Sequence, residues 1–80
     1  MSISDAVAQR ILDLCNERNI TVNKLCTISA VTQSTVNDIV NKKAKNIGIV
    51  TIKKLCDGLG IGVDEFFHNK LFQGLEQEIK

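Results

Sequence analysis

The chain has 80 residues, 44% of them apolar, and a formal net charge of +1. That length makes one domain, and the apolar fraction speaks against disorder. No apolar run approaches the roughly 20 residues that span a bilayer. The N-terminal MSISDAVAQR has neither the basic start nor the apolar stretch of a signal peptide, so a cytoplasmic protein without membrane attachment is expected.

The near-zero total hides a gradient. Residues 1–54 carry eight Lys or Arg against four acids, while residues 55–80 carry two Lys against five acids. Lys42, Lys43, Lys45, Lys53 and Lys54 supply most of the excess, enough for a basic patch on one side of the domain. Ordinary scatter in a small domain produces the same asymmetry, so charge is supporting evidence only.

With no Pro and with apolar residues recurring at helical spacing, the expected fold is all-α. The first helix is predicted from about Ser4 to Arg18, capped by Ser2 or Ser4, with Asp5 at its positive end. Val7, Ile11, Leu14 and Cys15 form its inner stripe. Arg10, Glu17 and Arg18 are expected in solvent. Asn19 suits a C-terminal stop, and Ile20 is placed to pack back near Leu25 as a staple.

Thr21 to Lys43, TVNKLCTISAVTQSTVNDIVNKK, reads as two short helices joined by a tight corner. Thr21 caps the first, whose apolar face is Leu25 and Ile28 with Cys26 beside them. Ser29-Ala30-Val31 makes the corner, with apolar Val31 plugging it. Thr32 caps the second helix, which runs to about Asn41 on a stripe of Val36, Ile39 and Val40. Its other face holds Gln33, Ser34, Thr35, Asn37, Asp38 and Asn41, nearly all uncharged hydrogen-bonding groups. These are mediocre helix formers, and such side chains can meet base edges. A polar helix in a small bundle, with lysines at its negative end, explains them equally well.

Residues 44–48 are a loop by their Asn and Gly. A fourth helix is expected from about Ile49 to Gly58, with Ile49, Ile52, Leu55, Cys56 and Leu59 inward and Gly58 and Gly60 ending it. A short helix follows at Asp64-Glu65-Phe66-Phe67, with His68 at the surface. The tail, residues 69–80, carries Leu71, Phe72, Leu75 and Ile79 at helical spacing. It either packs on the domain or covers a partner subunit, because four apolar side chains are not left in water without cost.

Cys15, Cys26 and Cys56 lie far apart without a CxxC or nearby His, and are expected as reduced core thiols. Neither metal nor cofactor is called for. No paired carboxylates, Cys–His arrangement or phosphate loop points to an enzyme. Gly58, Gly60 and Gly62 follow a helix rather than a strand, so they do not form a dinucleotide loop.

Taken together, Thr21-x-x-x-Leu25-Cys26-x-x-Ser29-Ala30-Val31-Thr32-Gln33-Ser34-Thr35-Val36, Asn41-Lys42, and Ile49-x-Thr51-Ile52-x-x-Leu55-Cys56-x-x-Leu59-Gly60-Ile61-Gly62-Val63-Asp64-Glu65-Phe66-Phe67 resemble the Cro and phage-repressor type of helix-turn-helix, the xenobiotic-response-element-like family of bacterial regulators. The resemblance spans about residues 3–67 and implies a five-helix, lambda-repressor-like DNA-binding domain over 1–68. It implies that helix 32–41 enters the major groove. Gln33, Ser34, Thr35, Asn37 and Asp38 would then face bases. Thr21, Thr32, Asn41, Lys42, Lys43, Lys45 and Asn46 would face phosphates.

Three positions depart from the family pattern. Ala30 stands where Gly is usual, and a left-handed Ala costs about 1 kcal/mol. Val22 stands where a polar residue is common. The recognition face has no Arg for a paired contact with guanine. The expected function is a sequence-specific transcriptional regulator, acting as a homodimer on double-stranded DNA with no small-molecule ligand. The alternative is a protein-interaction module, an antitoxin-like partner, whose tail docks on another protein.

Overall fold

The computed structural model describes residues 1–79. Five α-helices, α1 (Ile3–Glu17), α2 (Val22–Ser29), α3 (Gln33–Val40), α4 (Ile49–Leu59) and α5 (Val63–Phe67), are followed by one 3₁₀ turn at Lys70–Phe72, with no strand among the described residues. Helix α1 starts in a capping box. The Ser2 hydroxyl accepts from the Asp5 N–H at 3.2 Å, and the Asp5 carboxylate accepts from the Ser2 N–H at 3.4 Å. Two of the N–H groups that a helix start leaves unpaired are thereby satisfied.

Helix α2 packs on α4, and α1 packs on α3. Ile11, Leu25, Val36, Leu55, Cys56 and Phe66 are fully buried where these faces meet. All three thiols lie in the core, and burial pushes each of them up from its ordinary pKa. They therefore act there as small hydrophobes.

Four helices end in the same way. Asn19, Ala30, Lys42 and Gly60 adopt left-handed backbone, with φ of 53°, 55°, 63° and 72°. The N–H of the next residue then reaches back five residues. Ile20 bonds to Cys15 O at 3.0 Å, Val31 to Cys26 O at 3.2 Å, Lys43 to Asp38 O at 2.8 Å and Ile61 to Cys56 O at 3.0 Å. This reversal satisfies carbonyls that the helix end would leave open. At three of the ends the reaching residue is apolar, Ile20, Val31 or Ile61, and packs on the core. Val31 is thus a plug in the corner. At the α3 end it is Lys43, which is exposed together with Lys42.

Several sequence expectations need correction. Arg10 is not in solvent: only 8% of it is exposed, and its guanidinium caps the end of α5. Its stem is buried while the charged head meets the open Phe66 carbonyl and shares the Glu65 carbonyl with the His68 N–H. Ile28 is 41% exposed, because the inward turn of α2 is Leu25, Cys26 and Ser29. Ile49 is 68% exposed. It borders an open groove of about 540 Å³ lined also by Ile3, Val7, Ile47 and Phe67. Gly58 lies inside α4 rather than ending it.

Among the described residues the tail forms a single 3₁₀ turn and no α-helix. Phe72 packs on the core of its own chain, with ring centroids 4.9 Å from Phe67 and 6.1 Å from Phe66. Farther on, Glu76 accepts an ion pair from the N-terminal ammonium at 3.0 Å, and its N–H bonds to Met1 O at 3.1 Å. Leu71 and Leu75 are half-buried, whereas Ile79 is 87% exposed.

Candidate nucleic-acid interface

Helix α3 buries Val36 and Ile39 and half-buries Val40, which turns every other side chain outward. Gln33, Ser34, Thr35, Asn37, Asp38 and Asn41 are all exposed, as the helical period requires. Thr32 is the N-cap, and its hydroxyl accepts from the Thr35 N–H at 3.4 Å. It also shares a hydrogen bond with the Thr35 hydroxyl at 2.8 Å and lies 3.5 Å from the Ser34 hydroxyl. The side chains of Asn37 and Asp38 make no hydrogen bond to the protein among the described residues.

The start of α2 lies beside the start of α3. Thr21 caps α2 by accepting from the Lys24 N–H at 3.0 Å. The next residue inward, Val22, is half-buried on the core, which accounts for an apolar side chain there. The polar contact comes one residue later: the Gln33 amide Nε2 donates to Asn23 Oδ1. Asn23, Cys26, Thr27, Val31 and Gln33 together line an open notch of about 340 Å³. Asn23 is the residue that sequence reasoning missed. Its only sequence signal is a weak helix former in the first turn of α2, ten positions before Gln33.

At the other end of α3, Lys42 and Lys43 turn outward on the left-handed reversal, and Lys45 and Asn46 follow, all exposed. None of these lysines makes an ion pair among the described residues. Lys53 does, with Asp57 one turn on in α4, so its charge is partly neutralised. Lys42 and Lys45 also stand near the start of α1. The Asp5 carboxyl is held below its ordinary range chiefly by the Ser2 backbone and hydroxyl, and these two ammoniums lower it further. Thr35, Asp38, Asn46, Gly48 and Thr51 line a third notch, of about 210 Å³, where α3 faces the start of α4.

The candidate residues therefore fall into two sets. Gln33, Ser34, Thr35, Asn37 and Asp38 are exposed on the outer side of α3, with Thr21 and Thr32 at the neighbouring helix starts. Lys42, Lys43, Lys45 and Asn46 form a cationic segment at its far end. Among the described residues no group of His, Cys, Asp and Glu is arranged to hold a metal ion, and no helix is long and apolar enough to cross a membrane.

This arrangement has known counterparts. The crystal structure of the prophage Lp1 protein 11 is similar to this chain with a TM-score of 0.81 and 32% identity, over 94% of this chain and 100% of that one. No curated protein matches the sequence. The profile of the Cro/C1-type helix-turn-helix DNA-binding domain matches residues 10–68. The chain belongs to the Cro/C1-type helix-turn-helix DNA-binding family, whose members are typically not enzymes.

Proposed function

We propose that this protein is a sequence-specific transcriptional regulator that acts as a homodimer on a two-fold DNA site. Its 1–68 domain lays α3 in the major groove, and two such helices stand one DNA turn apart, about 34 Å. The observation that carries this reading is the outer face of α3: exposed amides and hydroxyls, free of Lys and Arg, followed by two lysines that make no ion pair among the described residues.

Gln33, Ser34, Thr35, Asn37 and Asp38 meet base edges, where amides and hydroxyls discriminate. Thr21 and Thr32 meet phosphates. Capping occupies an acceptor site on Thr21, so its O–H can still donate, and the Thr32 O–H is free to donate when Thr35 supplies the proton of their shared bond. Asn41, Lys42, Lys43, Lys45 and Asn46 hold the backbone at the other end and set the register. Occupancy then blocks or recruits polymerase in the cytoplasm.

The competing reading, an antitoxin-like interaction module, has lost the support of Phe72, which packs on its own chain. Ile49 and Val50, 68% and 64% exposed, are what still favours it. Selection of bound sequences from a random duplex library at two salt concentrations decides between the two. An enriched two-fold motif supports the dimeric reader. No binding at either salt overturns it in favour of the interaction module. Salt-sensitive binding without a motif overturns the base-reading roles on α3.

A further inference from the structure

We infer that the open groove between the starts of α1 and α4 is the surface on which a second copy of this chain docks, with Ile49 of each copy seated in the groove of the other. The inference rests on the homodimer reading and gives that dimer its interface. It does not depend on which bases α3 reads.

The start of α4 departs from what a helix start favours. Its N-cap is Gly48, which offers no side-chain cap, and no acid stands in its first turn. Ser, Thr, Asp or Asn serves the open N–H groups better, and an acid suits the positive end. Instead the first two residues are the β-branched Ile49 and Val50, 68% and 64% exposed. A local preference given up at an exposed position points to a contact made with something else.

Ile49 borders a groove of about 540 Å³. Buried Val7 and Ile52 and half-buried Phe67 line its inner part, and Ile3, 44% exposed, borders it with Ile49. The chain's own tail does not cover it. Phe72 lies on the core, and Glu76 is tied to Met1 by an ion pair and a backbone bond, so the tail contributes only Glu78 to the lining.

The charges of the lining select the occupant. The groove carries one cation, Lys45, and one anion, Glu78, from separate segments, and neither makes an ion pair among the described residues. In a two-fold contact residue i of one copy meets residue j of the other, and j meets i. A patch with an apolar centre, one cation and one anion is therefore complementary to itself. Lys45 of each copy meets Glu78 of the other, and the two Ile49 side chains fill the apolar part. A partner of a single charge sign satisfies only one of the two groups. The place also suits a DNA-bound dimer. Residues 45–48 line this groove, and Asn46, Ile47 and Gly48 line the notch beside α3 as well. Two copies joined here carry their α3 helices on either side of the paired loops, as a two-fold site requires. Lys45 keeps donors for a phosphate, since an ammonium has three.

The test is sedimentation equilibrium of the full chain, without DNA, over a concentration series. The parent should dimerise. Ile49→Glu should weaken dimerisation by at least roughly tenfold, as expected for losing a buried Ile side chain. Glutamate suits a helix start, so the fold should survive, which thermal unfolding checks. Val50→Glu, at a position outside the groove lining, should dimerise like the parent. Glu78→Lys and Lys45→Glu should each weaken dimerisation, and an equimolar mixture of the two should restore it, because the mixed dimer regains both pairs of opposite charge.

Equal dimerisation of Ile49→Glu and the parent overturns this interface and leaves the homodimer reading standing. So does a loss in Val50→Glu equal to that in Ile49→Glu, or a mixture of the charge variants that associates no better than its components. A parent that is monomeric at every concentration overturns the homodimer reading and this interface together, and leaves the groove to a different partner.

Discussion

Arg10 and Phe66 stand 56 positions apart, and the guanidinium Nε of the first donates to the backbone carbonyl of the second at 2.8 Å. Nη2 of the same group donates to the Glu65 carbonyl at 3.0 Å. One side chain of α1 thus closes the end of α5, a helix of five residues that has little stability of its own. Arg10→Ala leaves the Phe66 carbonyl without its donor and opens a gap in the core. It should destabilise the fold by about 2–4 kcal/mol. Arg10→Lys should recover little, since an ammonium cannot reproduce a planar two-donor contact. Chemical denaturation of the three proteins checks both statements.

The left-handed positions at Ala30 and Lys42 predict opposite consequences for binding. Ala30→Gly relieves a methyl group at φ 55° and should raise stability by about 1 kcal/mol with DNA affinity unchanged. Lys42→Gly relieves a similar strain at φ 63°, so stability should rise by a similar amount, about 1 kcal/mol. If Lys42 holds a phosphate as proposed, its affinity for all DNA sequences should nevertheless fall and its salt slope flatten. Unfolding and salt-titrated binding measured on both variants separate the two effects.

Gly58 of α4 stands close against Ser29 of α2. A Cβ there would sit 2.1 Å from the Ser29 hydroxyl oxygen and 3.0 Å from both Ser29 Cα and Cβ. Gly58→Ala should therefore cost about 1–3 kcal/mol through forced separation of the helices, despite alanine's better helix propensity. Ser29→Ala should not rescue it, because the backbone carbon remains in place. By itself Ser29→Ala should stabilise, since the Ser29 hydroxyl is buried without a hydrogen-bond partner. Denaturation midpoints of the two single variants and the double variant test all three outcomes.

Asp5 links stability to pH. Its folded pKa lies below the ordinary 3.8, first through the Ser2 backbone and then through the Ser2 hydroxyl. A lowered carboxylate pKa contributes stability above the unfolded value, and this contribution is lost as pH falls through the folded value. Melting temperature should thus drop on acidification below about pH 4, and Asp5→Asn should show a smaller drop over the same interval. Equal drops in the two proteins would remove Asp5 from the acid response.

Phe72 joins the tail to the core through edge contacts with Phe67 and a tilted contact with Phe66. Phe72→Ala should cost about 2 kcal/mol, less than a fully buried Phe because the ring is half-exposed. Ile79→Ala, at an 87% exposed position, should leave stability unchanged. Melting temperatures of the two variants provide the comparison.

Helix positions were legible in the chain because their signals are local. Thr21 and Thr32 cap where a hydroxyl just ahead of an apolar period places them, and Val36, Ile39 and Val40 declare one face of α3 by spacing alone. Asn19 and Gly60 mark helix ends for the same reason. The outward set from Gln33 to Asn41 follows from that inward stripe.

Other features depended on what lies across the core, which no local spacing contains. Arg10 sits at the edge of the inner stripe by period, three residues after Val7, but its charge argues for solvent until the carbonyl end of α5 arrives beside it. Ser29 rather than Ile28 points inward because α4 presents a glycine there. Asn23 meets Gln33 only through the crossing of α2 and α3, and Phe72 meets its own chain only once α5 has turned back on α1. A single sequence specifies its helices from neighbours within about four residues. The partners of its polar side chains are decided by how those helices cross.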